Sequence, residues 1–266
     1  MKSRRGIPVV LLVALAASAC VSPAHRFADQ AAERGLSVET VQGAGFRHVV
    51  FRAARAPSRT LHVYLDGDGI PWRLGRATAD PTPRDGLVLD LMARDPAASL
   101  YLGRPCYHGL AGEPPCGSAL WTEARYSEAV VASLAAALRR LVAVGGFERV
   151  LLFGHSGGGV LAVLLAPRVP ETAGLVTVAA NLDIDRWADL HGYPRLHQSL
   201  NPARQPPLPA GIRQRHYAGG RDRIVPAEVV ARGPIAAGTL SVIPAYDHLC
   251  CWQDIWPDVL SATARW

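Results

Sequence analysis

The sequence predicts an α/β protein built on a mainly parallel sheet flanked by helices, with a small cap region. Three observations lead there. Short apolar runs alternate with amphipathic segments over most of the chain, the pattern of strands joined by crossover helices. One continuous apolar run, residues 149–153, passes directly into a glycine cluster and then into an apolar helix to Ala166, as a buried strand feeding a helix does. The length of 266 residues suits one large domain of this class better than two independent ones.

The chain opens on a targeting segment. Lys2, Arg4 and Arg5 form a positive start, and Ile7 to Ala17 is apolar but too short to span a bilayer as a helix. Ala17-Ser18-Ala19-Cys20 follows and resembles a bacterial lipobox, which implies that Cys20 is lipidated and becomes the new N-terminus. The expected layout is a signal peptide over residues 1–19, a tether over 20–45 and the folded domain over 46–266. The same small residues also fit an A-x-A cleavage site, which would release a soluble periplasmic protein. Cysteine arithmetic favours the lipid anchor. Five cysteines leave an odd thiol in an exported chain, whereas lipid on Cys20 leaves the even set Cys106, Cys116, Cys250 and Cys251. Val21 follows the cysteine; by resemblance to enterobacterial lipoproteins this implies the outer membrane, facing the periplasm.

Strands are expected over residues 46–52 and 60–65, a helix over 86–94 and a short buried strand over 99–102. From Thr122 the pattern is helical, with Val130, Leu134, Leu138, Leu141 and Val142 at helix spacing, until Gly145-Gly146 stops it. Three more strands follow at 174–180, 214–218 and 239–243, and a helix over 252–264 closes the chain. The proline-rich run 201–211 is a loop within this alternation. In such a sheet the loops after the strand C-termini share one edge, where ligands sit.

Charge excludes one large class of partner. The net charge of +6 falls to +3 without the leader, and the remaining basic residues are all arginines, scattered with no basic run. That is no footprint for nucleic acid.

The chemistry concentrates at Gly154-His155-Ser156-Gly157-Gly158, a G-x-S-x-G sequence between the expected buried strand and helix. Glycines permit a sharp turn that lifts a serine off the sheet edge, and the helix N-terminus behind it favours developing negative charge. Serine needs a base to take its proton. Among nine histidines, His248 lies beyond the last strand and before the final helix, where the chain order Ser, acid, His requires it. For the acid, Asp222 follows the strand ending near Ala218 and lies on the loop nearest His248; Asp183, with Asp185 as a weaker variant, is the competitor. Asp247 adjoins His248, a poor position from which to orient its ring. An oxyanion hole needs backbone N–H groups. Gly157 supplies one, and Asp66-Gly67-Asp68-Gly69 after the second strand supplies the other, assigned to the N–H of Asp68.

This arrangement resembles the α/β-hydrolase superfamily over most of the chain. Asp66-Gly67-Asp68-Gly69, Trp121-Thr122 and His248-Leu249-Cys250-Cys251-Trp252 are further similar to a group of bacterial lipoprotein hydrolases. The resemblance implies ester, thioester or related acyl-transfer chemistry, normally without a metal, but no particular substrate; the expected protein is a serine esterase acting on a carboxylic ester or thioester, with a small-molecule or lipid ester as partner and no cofactor. An acyltransferase or a non-catalytic binding protein on the same scaffold are the alternatives. Asp66 departs from many members, which carry a His before the oxyanion glycine. Trp187, His191 and Tyr193 lie between two strands where a small cap commonly forms and are the expected substrate contacts. Cys106, His108 and Cys116 have the composition of a zinc site, but export favours a disulfide. Cys106 with Cys116 is the first pairing expected, leaving Cys250 and Cys251 as a vicinal bridge or free thiols; a cross-paired set stays open, since four cysteines allow three connectivities.

Overall fold

The computed structural model describes residues 22–266; the leader and Cys20 lie outside the described residues. Seventeen α-helices and strands follow in chain order among the described residues. They are α1 (Pro23–Glu33), β1 (Leu36–Gln42), β2 (Arg47–Ala53), β3 (Thr60–Leu65), the two-residue strands β4 (Trp72–Arg73) and β5 (Arg76–Ala77), α2 (Leu87–Ala93) and β6 (Ser99–Leu102). Then come α3 (Glu128–Gly145), β7 (Arg149–His155), α4 (Gly157–Leu165), β8 (Thr172–Val178), α5 (Ile184–His191), β9 (Arg213–Gly219), α6 (Ala227–Ala231), β10 (Leu240–Ile243) and α7 (Trp252–Thr263). The main sheet has the order β1-β2-β6-β3-β7-β8-β9-β10. It is parallel from β6 to β10, and only β1 and β2 run antiparallel to their neighbours.

The two-residue alternation of each strand sends side chains to opposite faces. Leu61, Val63, Leu65, Val150 and Leu152 pack with α3, α4 and α6. Tyr64, Leu151 and Phe153 pack with α1, α2 and α7, where Trp252 and Trp256 are buried. Both faces are covered, so the central strands read as unbroken apolar runs. Every parallel strand ends on the same edge.

Residues 22–45 are not a tether. Helix α1 buries Phe27, whose ring lies 5.5 Å from Phe51 and 5.2 Å from Tyr101, and β1 pairs along its whole length with β2. The folded domain therefore begins with α1, before Phe46. The long helix also starts later than its apolar spacing suggests. A 3-10 turn occupies Ser118–Trp121, and Ser127 caps α3 by accepting from the Val130 N–H. Between β8 and β9 the cap is small, one short helix followed by irregular chain and a turn at Pro202–Arg204. Cys106 bonds to Cys116 with Cα atoms 5.6 Å apart, so neither thiol is left for a metal, and Cys250 is bonded to Cys251. Among the described residues no helix is long and apolar enough to cross a membrane.

Candidate active site

Strand β7 ends at His155, and the next residue turns sharply into α4. Ser156 has φ +52° and ψ −122°, a conformation that costs a non-glycine residue on the order of 1–3 kcal/mol and that surrounding structure must enforce. The enforcement is visible. The Ser156 N–H donates to the Val178 carbonyl (2.9 Å) and its carbonyl accepts from the Gly159 N–H (3.0 Å). A Cβ at Gly158 would overlap the Leu65 carbonyl, so only glycine lets α4 approach the end of β3 this closely.

His248 arrives from the loop after β10. The Ser156 hydroxyl donates to its Nε2 (3.0 Å), and its Nδ1 donates to Asp222 Oδ2 (2.8 Å). The other Asp222 oxygen accepts two backbone N–H groups, from Ile224 and Val225, each at 2.8 Å. Asp222 is 6% exposed and His248 8%, so the chain of bonds runs through protein, not water. The His248 carbonyl is held as well. It accepts from His155 Nε2 (2.9 Å) and from Trp252 Nε1 (3.2 Å). Burial first, and the adjacent His248 second, push the His155 imidazole down to about 4, so it stays neutral at neutral pH.

The other carboxylates stand elsewhere. Asp183 caps α5 through the Arg186 N–H (3.1 Å), accepts from Asn201 (3.1 Å) and pairs with Arg232 (2.9 Å). Asp185 accepts from Asn201 and pairs with Arg204. Asp247 binds the N–H groups of Leu249 and Cys250 within its own turn.

The loop after β3 lies against Ser156, with a Cβ at Gly67 falling 3.4 Å from the serine Cβ. The Gly67 N–H is taken by Asp66 Oδ1 (2.7 Å). The Asp68 N–H makes no hydrogen bond among the described residues, and the same holds for Gly157 at the first turn of α4. Gly157 follows Ser156 directly and Asp68 packs against Gly157, so these two amides are the candidate donors.

The sequence matches no protein-family model and no curated relative. Solved structures do match. An esterase from Pyrococcus furiosus aligns with TM-score 0.59 at 14% identity, over 88% of this chain and 95% of its own. A membrane phospholipase A described as a bacterial virulence factor aligns at 0.56 and 17% identity, over 91% and 92%. A serine hydrolase without a lid from Xanthomonas campestris aligns at 0.52 and 12%, over 86% and 92%. The chain has the α/β-hydrolase fold.

Around this hydrolase-fold site, Trp187, His191 and Tyr193 form a cluster of their own. His191 stacks on Tyr193 at 5.3 Å, and the Trp187 and His191 ring N–H groups both donate to the Ile224 carbonyl at 2.8 and 2.9 Å. Their hydrogen bonds brace the Asp222 loop and do not reach Ser156 or His248.

Sequence reasoning missed a second cluster, around Asp68 and against Gly157. Asp68 receives Arg104 Nη2 and Arg125 Nη1, each at 2.8 Å, and the Tyr126 hydroxyl donates to both its oxygens (2.6 and 2.7 Å). Burial alone would raise this carboxyl, but the two guanidinium groups outweigh it and hold it at about 2. The Tyr107 hydroxyl donates to the Asp68 carbonyl at 3.0 Å. Asp66 differs. Burial, then the charge of Asp85, push it up to about 7. The one available signal was position, since Arg104 follows the end of β6 on the same sheet edge.

Proposed function

We propose that the protein is a serine hydrolase that cleaves a carboxylic ester or thioester through an acyl-enzyme. The observation that carries this reading is the hydrogen-bonded chain from Ser156 Oγ through His248 to the buried Asp222 carboxylate, at a serine held in a strained turn before a helix. Similarity to an esterase, a phospholipase and a serine hydrolase supports the reaction class. The chemistry follows from the geometry. As Ser156 attacks the acyl carbon, His248 Nε2 takes its proton and Asp222 stabilises the imidazolium. The carbonyl oxygen becomes an anion that accepts from the Gly157 and Asp68 amides. His248 then returns the proton to the leaving alcohol or thiol. Water, activated by the same histidine, releases the acid.

The substrate of this reading is a small-molecule or lipid ester, and the location is the bacterial cell envelope through lipid on Cys20. Because α1 starts at Pro23, three residues after Cys20, the anchor would reach at most about 10 Å at roughly 3.5 Å per residue. Intact mass of the mature protein tests the anchor, and the absence of lipid mass overturns it. For the reaction, the wild type is treated with a fluorophosphonate and assayed on p-nitrophenyl esters. An adduct on Ser156 with ester turnover is expected. No adduct on the folded protein overturns the hydrolase reading in favour of a binding role.

A further inference from the structure

Asp68 is an awkward residue to find at an oxyanion hole. Its amide would donate to the developing anion while its carboxylate would repel it. The carboxylate is also close. A Cβ added to Gly157 would overlap Asp68 Oδ1, and would approach the Tyr126 hydroxyl at 2.5 Å and Arg104 Nη2 at 2.6 Å. The whole cluster therefore abuts the residue that supplies the other donor.

The charge count resolves the difficulty. Two guanidinium groups meet one carboxylate, and both arginine side chains are 5% exposed. Tyr107 and Tyr126 add no charge, since burial raises both hydroxyls, that of Tyr107 to about 12. Asp66, the next carboxyl along the loop, is pushed up to about 7 and offsets only part of the surplus, and Asp85, whose charge helps to push it up, makes no ion pair with either arginine. Arg104 lies 5.7 Å from the Tyr107 ring centroid and 5.3 Å from that of Tyr126, and its Nε and Nη1 find no acceptor among the described residues. A buried ion cluster with excess cation costs stability, and one acceptor more would serve a purely structural pair better. The excess sits where a reaction would create a negative charge.

We propose that Arg104 and Arg125 are positioning residues that reverse the sign of the field from Asp68, so that a net positive cluster backs the Gly157 and Asp68 amides and strengthens binding of the tetrahedral anion. The proposal rests on the ester-hydrolase reading above. A charge behind the donors acts at longer range than a donor itself, so removing one arginine costs less than the roughly 10²–10³-fold of a lost oxyanion donor.

The test is a charge series on p-nitrophenyl butyrate. Arg125→Gln is expected to lower kcat about ten- to a hundredfold, by comparison with that donor loss, and to leave KM within a few fold. It should weaken a phenylboronic acid, whose serine adduct is a tetrahedral anion, in parallel with kcat. Arg125→Lys, which keeps the charge and loses the fork, should recover most of kcat. The decisive variant is Asp68→Asn with Arg125→Gln, which removes one anion and one cation together. It should turn over faster than Arg125→Gln alone although it holds fewer ion pairs. A structural role predicts that the double variant is no better, and that result overturns the proposal, as does unchanged kcat in folded Arg125→Gln. If Arg125→Gln does not fold, Arg125→Lys against the folded double variant gives the same comparison, with equal and near wild-type kcat expected and a large loss in both overturning it. Fluorophosphonate labelling of wild-type Ser156 separates the failures. A labelled serine with no trend in the series sinks only this proposal, whereas an unlabelled one removes the hydrolase reading beneath it.

Discussion

Asp222 Oδ2 lies 2.8 Å from His248 Nδ1, and the second Asp222 oxygen is held by two backbone amides, so the carboxylate can neither rotate away nor exchange its partner for water. Asp183, the competing acid on the preceding loop, bonds instead to Asn201, Arg232 and the first turn of α5. The two positions therefore separate cleanly by substitution. Asp222→Asn is expected to lower kcat about 10⁴-fold, the loss seen when the equivalent serine-protease carboxylate becomes an amide. Asp183→Ala should leave kcat near wild type and lower stability by about 1 kcal/mol through the lost helix cap. Parallel ester assays and urea titrations check both, and a crippled Asp183→Ala enzyme of normal stability would reverse the assignment.

The strained serine gives a second expectation. Ser156→Ala should reduce kcat about 10⁶-fold, as removal of the nucleophile does in serine proteases, but it keeps a side chain at φ +52°. Ser156→Gly should be equally inactive and melt at a higher temperature than Ser156→Ala. Relief of on the order of 1–3 kcal/mol of strain exceeds the roughly 0.4–1 kcal/mol of extra unfolded-chain entropy. Calorimetry of the pair checks the order, and a lower melting point for the glycine variant would show that the turn stores little strain.

How much of the candidate site was legible in the sequence depends on whether the signal was local. Ser156 was legible because strand, glycine and helix follow one another without interruption. His248 and Asp222 were legible through chain order, since parallel strands bring their C-terminal loops to one edge. The arginine cluster was not, because Arg104 and Arg125 meet Asp68 only through the fold and read in the sequence as scattered surface charge. Strand β1 was missed for a different reason. Apart from Leu36 its residues are exposed or half-buried, so an edge strand there carries no apolar alternation to find. Trp187, His191 and Tyr193 lie between β8 and β9, where their aromatic character pointed to substrate; the Trp187 and His191 rings donate to the Ile224 carbonyl and Tyr193 packs against them.

Four histidines whose rings are cut off from water set the acid limb of stability. Burial pushes His48, His155 and His216 down to about 4 and His108 to about 3, whereas an unfolded histidine titrates at about 6.5. Between those values the unfolded chain binds protons that the folded one does not, so stability falls as pH drops from about 6.5 toward 4. Each such group adds up to about 1.4 kcal/mol per pH unit. Asp66, raised to about 7, works in the opposite sense and offsets about one of them. Urea unfolding at pH 7 and pH 5 should show a clear loss at the lower pH. His48→Gln, which removes one of the four, should make that loss smaller whatever it does to stability at pH 7. An unchanged difference would mean that His48 is protonated in the folded protein.

Phe27 tests whether the N-terminal segment belongs to the domain. Its side chain is 1% exposed and packs against Phe51, Tyr101 and His108, with ring centroids 5.5, 5.2 and 4.7 Å away. A tether would leave such a residue in solvent, and its truncation would cost nothing. In the observed packing Phe27→Ala opens a cavity beside the sheet and should lower the free energy of unfolding by about 3–5 kcal/mol. Val38→Ser on the adjoining strand is the control, since Val38 is 64% exposed and its loss should fall within about 0.5 kcal/mol. The cost of Phe27→Ala need not appear in global unfolding alone, because α1 could detach while the sheet remains folded. Hydrogen exchange of the α1 amides covers that case. Protection lost over residues 23–33 but retained in β7 would mark α1 as a separately opening unit docked through Phe27. Unchanged stability together with unchanged exchange would show that the segment is no part of the fold.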